Sequence, residues 1–228
     1  HTATPNSGNE YGWLGRTADA ISGSRSTDLI VQVGNQQSLV VNSANHTPVV
    51  FDEPSRFLRD SSGADYEIPS PESNESAPNK NSYNYLMRVA QSAKTSSERI
   101  QQAWSAYQTE VDYGILPMDL PKVAACIESG YPAQLYHVAF RNNSFDTHVQ
   151  QPALHRRLLS YASDAITGFI GDLKQKAIDE NVVVLIHSEF GRRAGENANL
   201  GTDHGTANIM FLAGTNIKGG HYGENPTL

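Results

Sequence analysis

Three short segments hold most of the side chains in this sequence that could do chemistry: Phe145-Asp146-Thr147-His148, Ser188-Glu189-Phe190-Gly191-Arg192-Arg193 and Gly201-Thr202-Asp203-His204-Gly205-Thr206. Each adjoins an apolar run that reads as a strand, so carboxylates and imidazoles recur at strand edges instead of scattering along the chain. Mixed oxygen and nitrogen donors suit Zn²⁺, Mn²⁺ or Fe, whereas an all-oxygen set favours Mg²⁺ or Ca²⁺. The pattern suggests a metal-assisted hydrolase site on a parallel sheet, with Asp146, His148, Glu189, Asp203 and His204 as candidate ligands. Arg192 and Arg193 could clamp phosphate or sulfate oxygens with two parallel hydrogen bonds.

Plainer readings stand beside these. Asp146-Thr147-His148 also suits a capped turn leading to Pro152, because Asp and Thr are ordinary turn formers. Asp203-His204 between glycines lets backbone approach a ligand closely, but the same residues also make a simple turn. One arginine could pair with Glu189 or Glu196 and leave the other in solvent. His46, His137, His155, His187 and His221 have no partner pattern and read as structural or exposed.

The elements that must position these residues follow from periodicity and turn signals. Leu14–Ile21 suits a short helix; Asp28–Val33, Ser38–Val41 and Val49–Phe51 are short β-branched runs separated by turn residues. Asp60–Ser82 is nearly free of large apolar residues and reads as an exposed, poorly ordered excursion. A helical period returns from Tyr83 to about Asp112, with a break near Thr95-Ser96-Ser97 that could split it. Lys122–Ser129 follows Pro121 and stops at Gly130, then Gln134–Phe140 reads as the strand before Asp146. Pro152 starts the clearest helix, with Leu154, Leu158, Ala162, Ile166, Phe169, Leu173 and Ala177 on one stripe. Val182–Ile186 is a continuous apolar run of the kind covered on both faces of a parallel sheet, and Ile209–Ala213 forms a last strand. Strands alternating with helices predict an α/β domain over 1–228, with 24–82 as a variable strand and loop insertion and 113–228 as the core that carries the motifs. In an open sheet of this kind ligands gather outside the carboxyl ends of the strands, so the Asp146/His148 and Ser188/Glu189 clusters should share one edge.

Composition narrows the function classes. The 228 residues, 38% hydrophobic and 18% charged, are those of a globular protein with a core of ordinary size. A formal charge of −7 and the lack of a dense basic run argue against nucleic acid as a partner. The single cysteine, Cys126, leaves no internal disulfide framework or cysteine-based zinc site, and its apolar helical setting suits a packed thiol. No apolar run approaches the roughly 18 residues of a membrane span, and no signal peptide is recognisable. A first residue His1 and a last segment Pro226-Thr227-Leu228 give the expectation of a piece of a longer precursor whose leader was lost.

The three motifs also carry a resemblance. Phe145-Asp146-Thr147-His148 with Gln151, Leu158-Leu159, Ser188-Glu189-Phe190-Gly191-Arg192, Gly201–Asn208, Gly219-Gly220 and Tyr222-Gly223 resemble the domain-of-unknown-function 1501 family. That family is sulfatase-like and is placed in the alkaline phosphatase superfamily. The resemblance covers Leu116–Leu228, and Gly12-Trp13-Leu14-Gly15-Arg16 extends it towards the start. It implies an alkaline-phosphatase/sulfatase-like α/β core, with a largely parallel central sheet flanked by helices and incomplete at its N-terminus. It also implies a two-metal centre for cleaving phosphate or sulfate esters. By similarity Asp146 and His148 serve one metal cluster, Glu189 takes the place of a ligand after a middle strand, and His204, accompanied by Asp203, matches a late histidine that precedes a strand. The Ser-Glu pair departs from the superfamily's usual Asp-His pair. The superfamily's first metal-binding acid and its Ser/Thr nucleophile fall before the start of this sequence by the same comparison. Export through a twin-arginine leader, and hence a periplasmic or cell-surface location, is a further implication.

The leading expectation is therefore a hydrolase of small-molecule or glycan phosphate or sulfate esters that uses a divalent metal, Zn or Mn, with Arg192 stabilising charge on the non-bridging oxygens. A non-catalytic exported surface or assembly protein on the same scaffold is the second. A serine hydrolase using Ser188, His204 and Asp146 is the third, weakened by the lack of a Gly-x-Ser-x-Gly elbow. Oligomeric state leaves no trace in the sequence.

Overall fold

In a computed structural model of the chain, residues 10–23, 28–57, 80–140 and 144–224 are described. Of the expected excursion at Asp60–Ser82, residues 60–79 lie outside the described residues, as do Pro226-Thr227-Leu228. The class is mixed α/β: the described residues form four helices, one three-stranded parallel sheet and two two-stranded antiparallel sheets. The chain divides into two compact units, His1–Gln108 with Ala125–Ala139, and Thr109–Ala124 with Phe140–Leu228.

The first unit is built on β1 (Ile30–Val33), which lies between β2 (Val49–Phe51) and β3 (Leu135–Val138). Both pairings are parallel, with Val31 opposite Val49 on one side and Tyr136 on the other. All four β1 residues are buried, as expected of an apolar central strand. Leu29 and Ile30 pack with Val40, Val41 and the Leu14 and Ala18 face of α1 (Trp13–Ile21). Ser38–Val41 departs from the expected strand and forms a 3-10 turn over Leu39–Val41. The Ser38 hydroxyl accepts the Val40 N–H, and the buried Gln32 carboxamide accepts the Ser38 N–H, so local polar groups compete successfully with sheet pairing.

The long helix α2 (Lys80–Ala106) runs unbroken through Thr95-Ser96-Ser97. Each hydroxyl there finds a partner that leaves the helix ladder intact: Thr95 bonds back to Gln91 O, Ser96 donates to Asp28 and Ser97 donates to Phe57 O. The helix also stops at Ala106, short of the expected Asp112. Beyond it, in the second unit, Thr109 and Tyr113 donate to the fully buried Asp172 carboxylate at 2.8 Å each, which holds 109–113 outside the helix. Helix α3 (Leu120–Glu128) ends before Gly130, whose φ of 70° is the left-handed stop expected there.

The second unit is organised by α4 (Gln151–Gln175), which buries Leu158, Ala165, Phe169 and Leu173. After it come β4 (Val184–Ile186), β5 (Gly191–Arg192), β6 (His204–Gly205) and β7 (Phe211–Ala213). Val182–Ile186 differs from the covered parallel strand expected: β4 is three residues long, Leu185 is exposed, and β7 pairs with β4 antiparallel. The physical reason is the connection. Parallel neighbours need a crossover, usually a helix, whereas the chain between Ile186 and Phe211 carries no helix and folds back through the antiparallel β5–β6 pair. Strands β3 and β4 accordingly belong to separate sheets, so the site is not organised by one shared strand edge. Among the described residues no helix is long and apolar enough to cross a membrane.

Candidate metal centre

The segment after β3 turns sharply before α4. Gln150 takes a left-handed conformation with φ of 46°, and Gln151 opens the helix with Pro152 behind it, where a missing N–H costs nothing. The backbone N–H groups of Gln150 and Gln151 donate to Asn199 O and Leu200 O, so the loop 197–201 is stitched onto the start of α4. The pairing of β5 with β6 sets Arg192 opposite His204. Gly201 is required by this close approach, since a β-carbon there would overlap the His148 carbonyl. The distant segments 145–148 and 201–205 thus meet.

Their side chains converge on one point. Asp146 Oδ1 lies 2.8 Å from His204 Nε2 and 2.9 Å from His148 Nε2, and the two nitrogens are 3.2 Å apart. One ligand atom from each of the three residues lies within 4.8 Å of the other two. The imidazoles stack with ring centroids 4.9 Å apart, and Phe190 packs on the other ring of the pair, parallel to His204 at 3.7 Å. Asp146 and His204 are exposed and His148 is half-buried, so the cluster opens to solvent. Its electrostatics agree with its geometry: the hydrogen bond from His204, opposed in part by burial and assisted by the charge of His148, holds the Asp146 carboxyl below the usual carboxylate range.

The set can hold one divalent cation. Four-coordinate zinc, with bonds of about 2.0–2.1 Å, places neighbouring donors roughly 3.3 Å apart, so these three need to spread by only a few tenths of an ångström. Protonated on Nε2, both imidazoles donate to Asp146 Oδ1; deprotonated there, the two nitrogens and the carboxylate oxygen offer three lone pairs to one cation.

The remaining candidate residues stand elsewhere. Asp203 lies outside the three-donor group: its Oδ1 is 3.5 Å from the far nitrogen of His148, Nδ1. The Asn197 amide, opposed in part by burial and assisted by His148 and Arg193, holds its carboxyl low as well. Glu189 is exposed and also falls outside the group among the described residues. Arg192 is a brace. One terminal nitrogen donates to Thr202 O at 2.5 Å and the other to Phe145 O at 2.7 Å, tying the two ligand segments together with its guanidinium over the Phe190 ring. It remains 3.7 Å from Asp146 Oδ1. The Ser188 hydroxyl donates to Phe190 O, and His204 Nε2 faces Asp146 instead, so a Ser-His pair is not formed there.

Two supporting residues escaped the reading of types and spacings. Gln151, quoted only as part of a motif, is buried and donates from Nε2 to the Thr147 hydroxyl while Oε1 accepts from Thr202, linking both ligand segments through one carboxamide. Asn197 accepts from the N–H groups of Asn199 and Gly201 and donates to His148 O and Asp203 Oδ1. Its only sequence signal is an Asn-rich turn, which many surface loops share.

Fold and site together define a mixed α/β protein with a solvent-open two-histidine, one-carboxylate cluster. The whole chain, residues 1–228, matches the model of the family described as "Protein of unknown function (DUF1501)", and the protein belongs to that family. No match was found among curated proteins or among solved structures.

Proposed function

We propose that this protein is a metal-dependent hydrolase of phosphate or sulfate esters, built on an alkaline-phosphatase/sulfatase-like scaffold. Asp146, His148 and His204 hold a divalent cation, Zn²⁺ or Mn²⁺ by the chemistry of the donor set. The observation that carries the reading is the convergence of these three donors, separated by up to 58 residues in sequence, to within 3.2 Å. Three protein donors in a solvent-open position are the pattern of a catalytic rather than a closed structural site. When bound, the ion supplies Lewis-acid polarisation of the ester and activation of an attacking oxygen. Asp146 presents a carboxylate held in its charged form, and Phe190 fixes the plane of His204. Arg192 uses two N–H groups on backbone carbonyls and presents the remaining donors to the non-bridging oxygens of a bound ester. The substrate is a small-molecule or glycan ester, and the location is the periplasm or cell surface, by resemblance to exported sulfatase-like proteins.

The test is hydrolysis of aryl phosphates and aryl sulfates by metal-loaded protein, compared with Asp146→Ala. Turnover that depends on added metal and disappears in the variant supports the reading; equal turnover in the variant refutes it. One observation favours a second reading: among the described residues one donor group is assembled, not the two of a two-metal centre. That suits a non-catalytic exported surface protein that retains a metal, and stoichiometric metal without cleavage across metals and pH would establish it.

A further inference from the structure

Two large apolar side chains stand exposed on the segments that carry the donors. Val149, directly after His148, is 59% exposed, and Leu200, four residues before His204, is 55% exposed. The two segments adjoin: the Gln151 N–H donates to Leu200 O at 2.9 Å, and a β-carbon on Gly201 would overlap the His148 carbonyl and crowd the Val149 nitrogen. Exposed apolar residues scattered singly need no explanation, but Leu200 is held at a backbone cost. Its φ of 59° is in the left-handed region, which glycine or asparagine adopts far more easily than leucine. Asn197 enforces that turn, its backbone oxygen accepting the Leu200 N–H at 3.2 Å and its side-chain oxygen accepting from Asn199 and Gly201. Several polar side chains here are engaged within the loop: Asn197 Nδ2 donates to His148 O and Asp203, and the Thr202 hydroxyl donates to Gln151. Val149 and Leu200 are the large apolar surface that these two segments show to solvent.

We propose that Val149 and Leu200 form an apolar lip beside the donor cluster and determine specificity, so that the ester taken carries an aryl or alkyl group in preference to a glycan. An apolar group laid on the lip removes both surfaces from water. A sugar in the same place loses water from hydroxyls that neither side chain can bond, and that penalty separates the two classes. The lip also accounts for a leucine where the backbone suits glycine, since strained backbone persists at ligand-binding positions whose side chain is used. The substrate class rests on the ester-hydrolase reading above, but binding of an uncleaved ligand measures the lip separately.

The test uses the full chain supplied with Zn²⁺ and two pairs of uncleavable anions: phenylphosphonate against methylphosphonate, and benzenesulfonate against methanesulfonate. In at least one pair the phenyl compound should bind about tenfold tighter by calorimetry, the low end of what a small apolar contact contributes to discrimination. Leu200→Asn should lose most of that preference, and Val149→Thr part of it. The thermal midpoint of Leu200→Asn, measured without metal, should equal or exceed that of wild type, because asparagine fits the left-handed backbone. Among esters, kcat/KM should be higher for cyclohexylmethyl phosphate than for glucose 6-phosphate, which share a six-membered ring and a primary leaving oxygen. Equal affinities within each pair, no binding of any of the four anions, a preference kept in both variants, or a lowered midpoint in Leu200→Asn would each overturn the proposal. Faster turnover of glucose 6-phosphate would overturn it as well, and would assign the exposed Gln150 and Asn199 to a glycan instead. A phenyl preference that depends on Leu200, in a protein that cleaves no ester, would sink the hydrolase reading and leave the lip standing.

Discussion

Removing one carboxamide should loosen both halves of the donor cluster together. Gln151→Ala deletes the hydrogen bond to Thr147, which lies between two of the donors, and the bond from Thr202, two residues before the third. Each such bond contributes about 1 kcal/mol net, and the buried Thr147 hydroxyl left without this partner adds about 1–2 kcal/mol more, giving a loss of about 3–4 kcal/mol in local stability. The two tryptophans, Trp13 and Trp104, both lie in the first unit, so their fluorescence would miss the change. Amide hydrogen exchange followed by mass spectrometry is the suitable assay, on peptides spanning 147–155 and 197–206. Exchange there should accelerate roughly 100- to 1,000-fold, since each 1.4 kcal/mol is a factor of ten. Peptides from β1 should be unaffected. Unchanged protection around Gln151 would refute the argument that its carboxamide holds the two segments.

Gly201→Ala should lower the thermal midpoint of the second unit and weaken metal binding, because the new β-carbon meets the His148 carbonyl; overpacking of this kind costs about 1–3 kcal/mol, and calorimetry with a metal titration checks it. Asp19 gives a pH signature: burial raises its pKa, but the Ser43 hydroxyl, the Ala44 and Asn45 N–H groups and His46 outweigh this and hold it below 3.8. Its stabilising contribution is complete above 3.8 and is lost as pH falls through the lower folded value, so Asp19→Asn should be less stable than wild type at neutral pH, with the gap closing in acid. Burial pushes the Cys126 thiol up to about 12, so a thiol reagent should label the native protein slowly and the urea-unfolded protein at once; fast native labelling would contradict the packed position.

Much of the local structure was legible because its determinants are local. The β1 run, the Pro-started α4 and the Gly130 stop depend on apolar periodicity and on residues with restricted backbone angles, and all three form near the expected bounds. The departures arise where distant partners decide. Thr95-Ser96-Ser97 resembles a helix break until Asp28 and Phe57 supply partners for two of its hydroxyls. Val182–Ile186 has the composition of a covered strand, but its neighbour is chosen by a connection that lacks a crossover helix. The site shows the same division. Residue types marked Asp146, His148 and His204 as candidate ligands, and the fold brings their donor atoms together. Composition could not separate Asp203 and Glu189 from them, because which carboxylate faces which ring nitrogen depends on the β5–β6 register and the Asn197 loop.

The central claim is that Asp146, His148 and His204 form one cation site, and a direct titration of the metal-free chain with Zn²⁺ and with Mn²⁺, read by isothermal calorimetry beside the variants His148→Ala and His204→Ala, tests it. One tightly bound ion per chain, with binding abolished or severely weakened in both variants while each remains folded, is the result predicted. No binding by folded wild type, or binding that both variants retain unchanged, would contradict it.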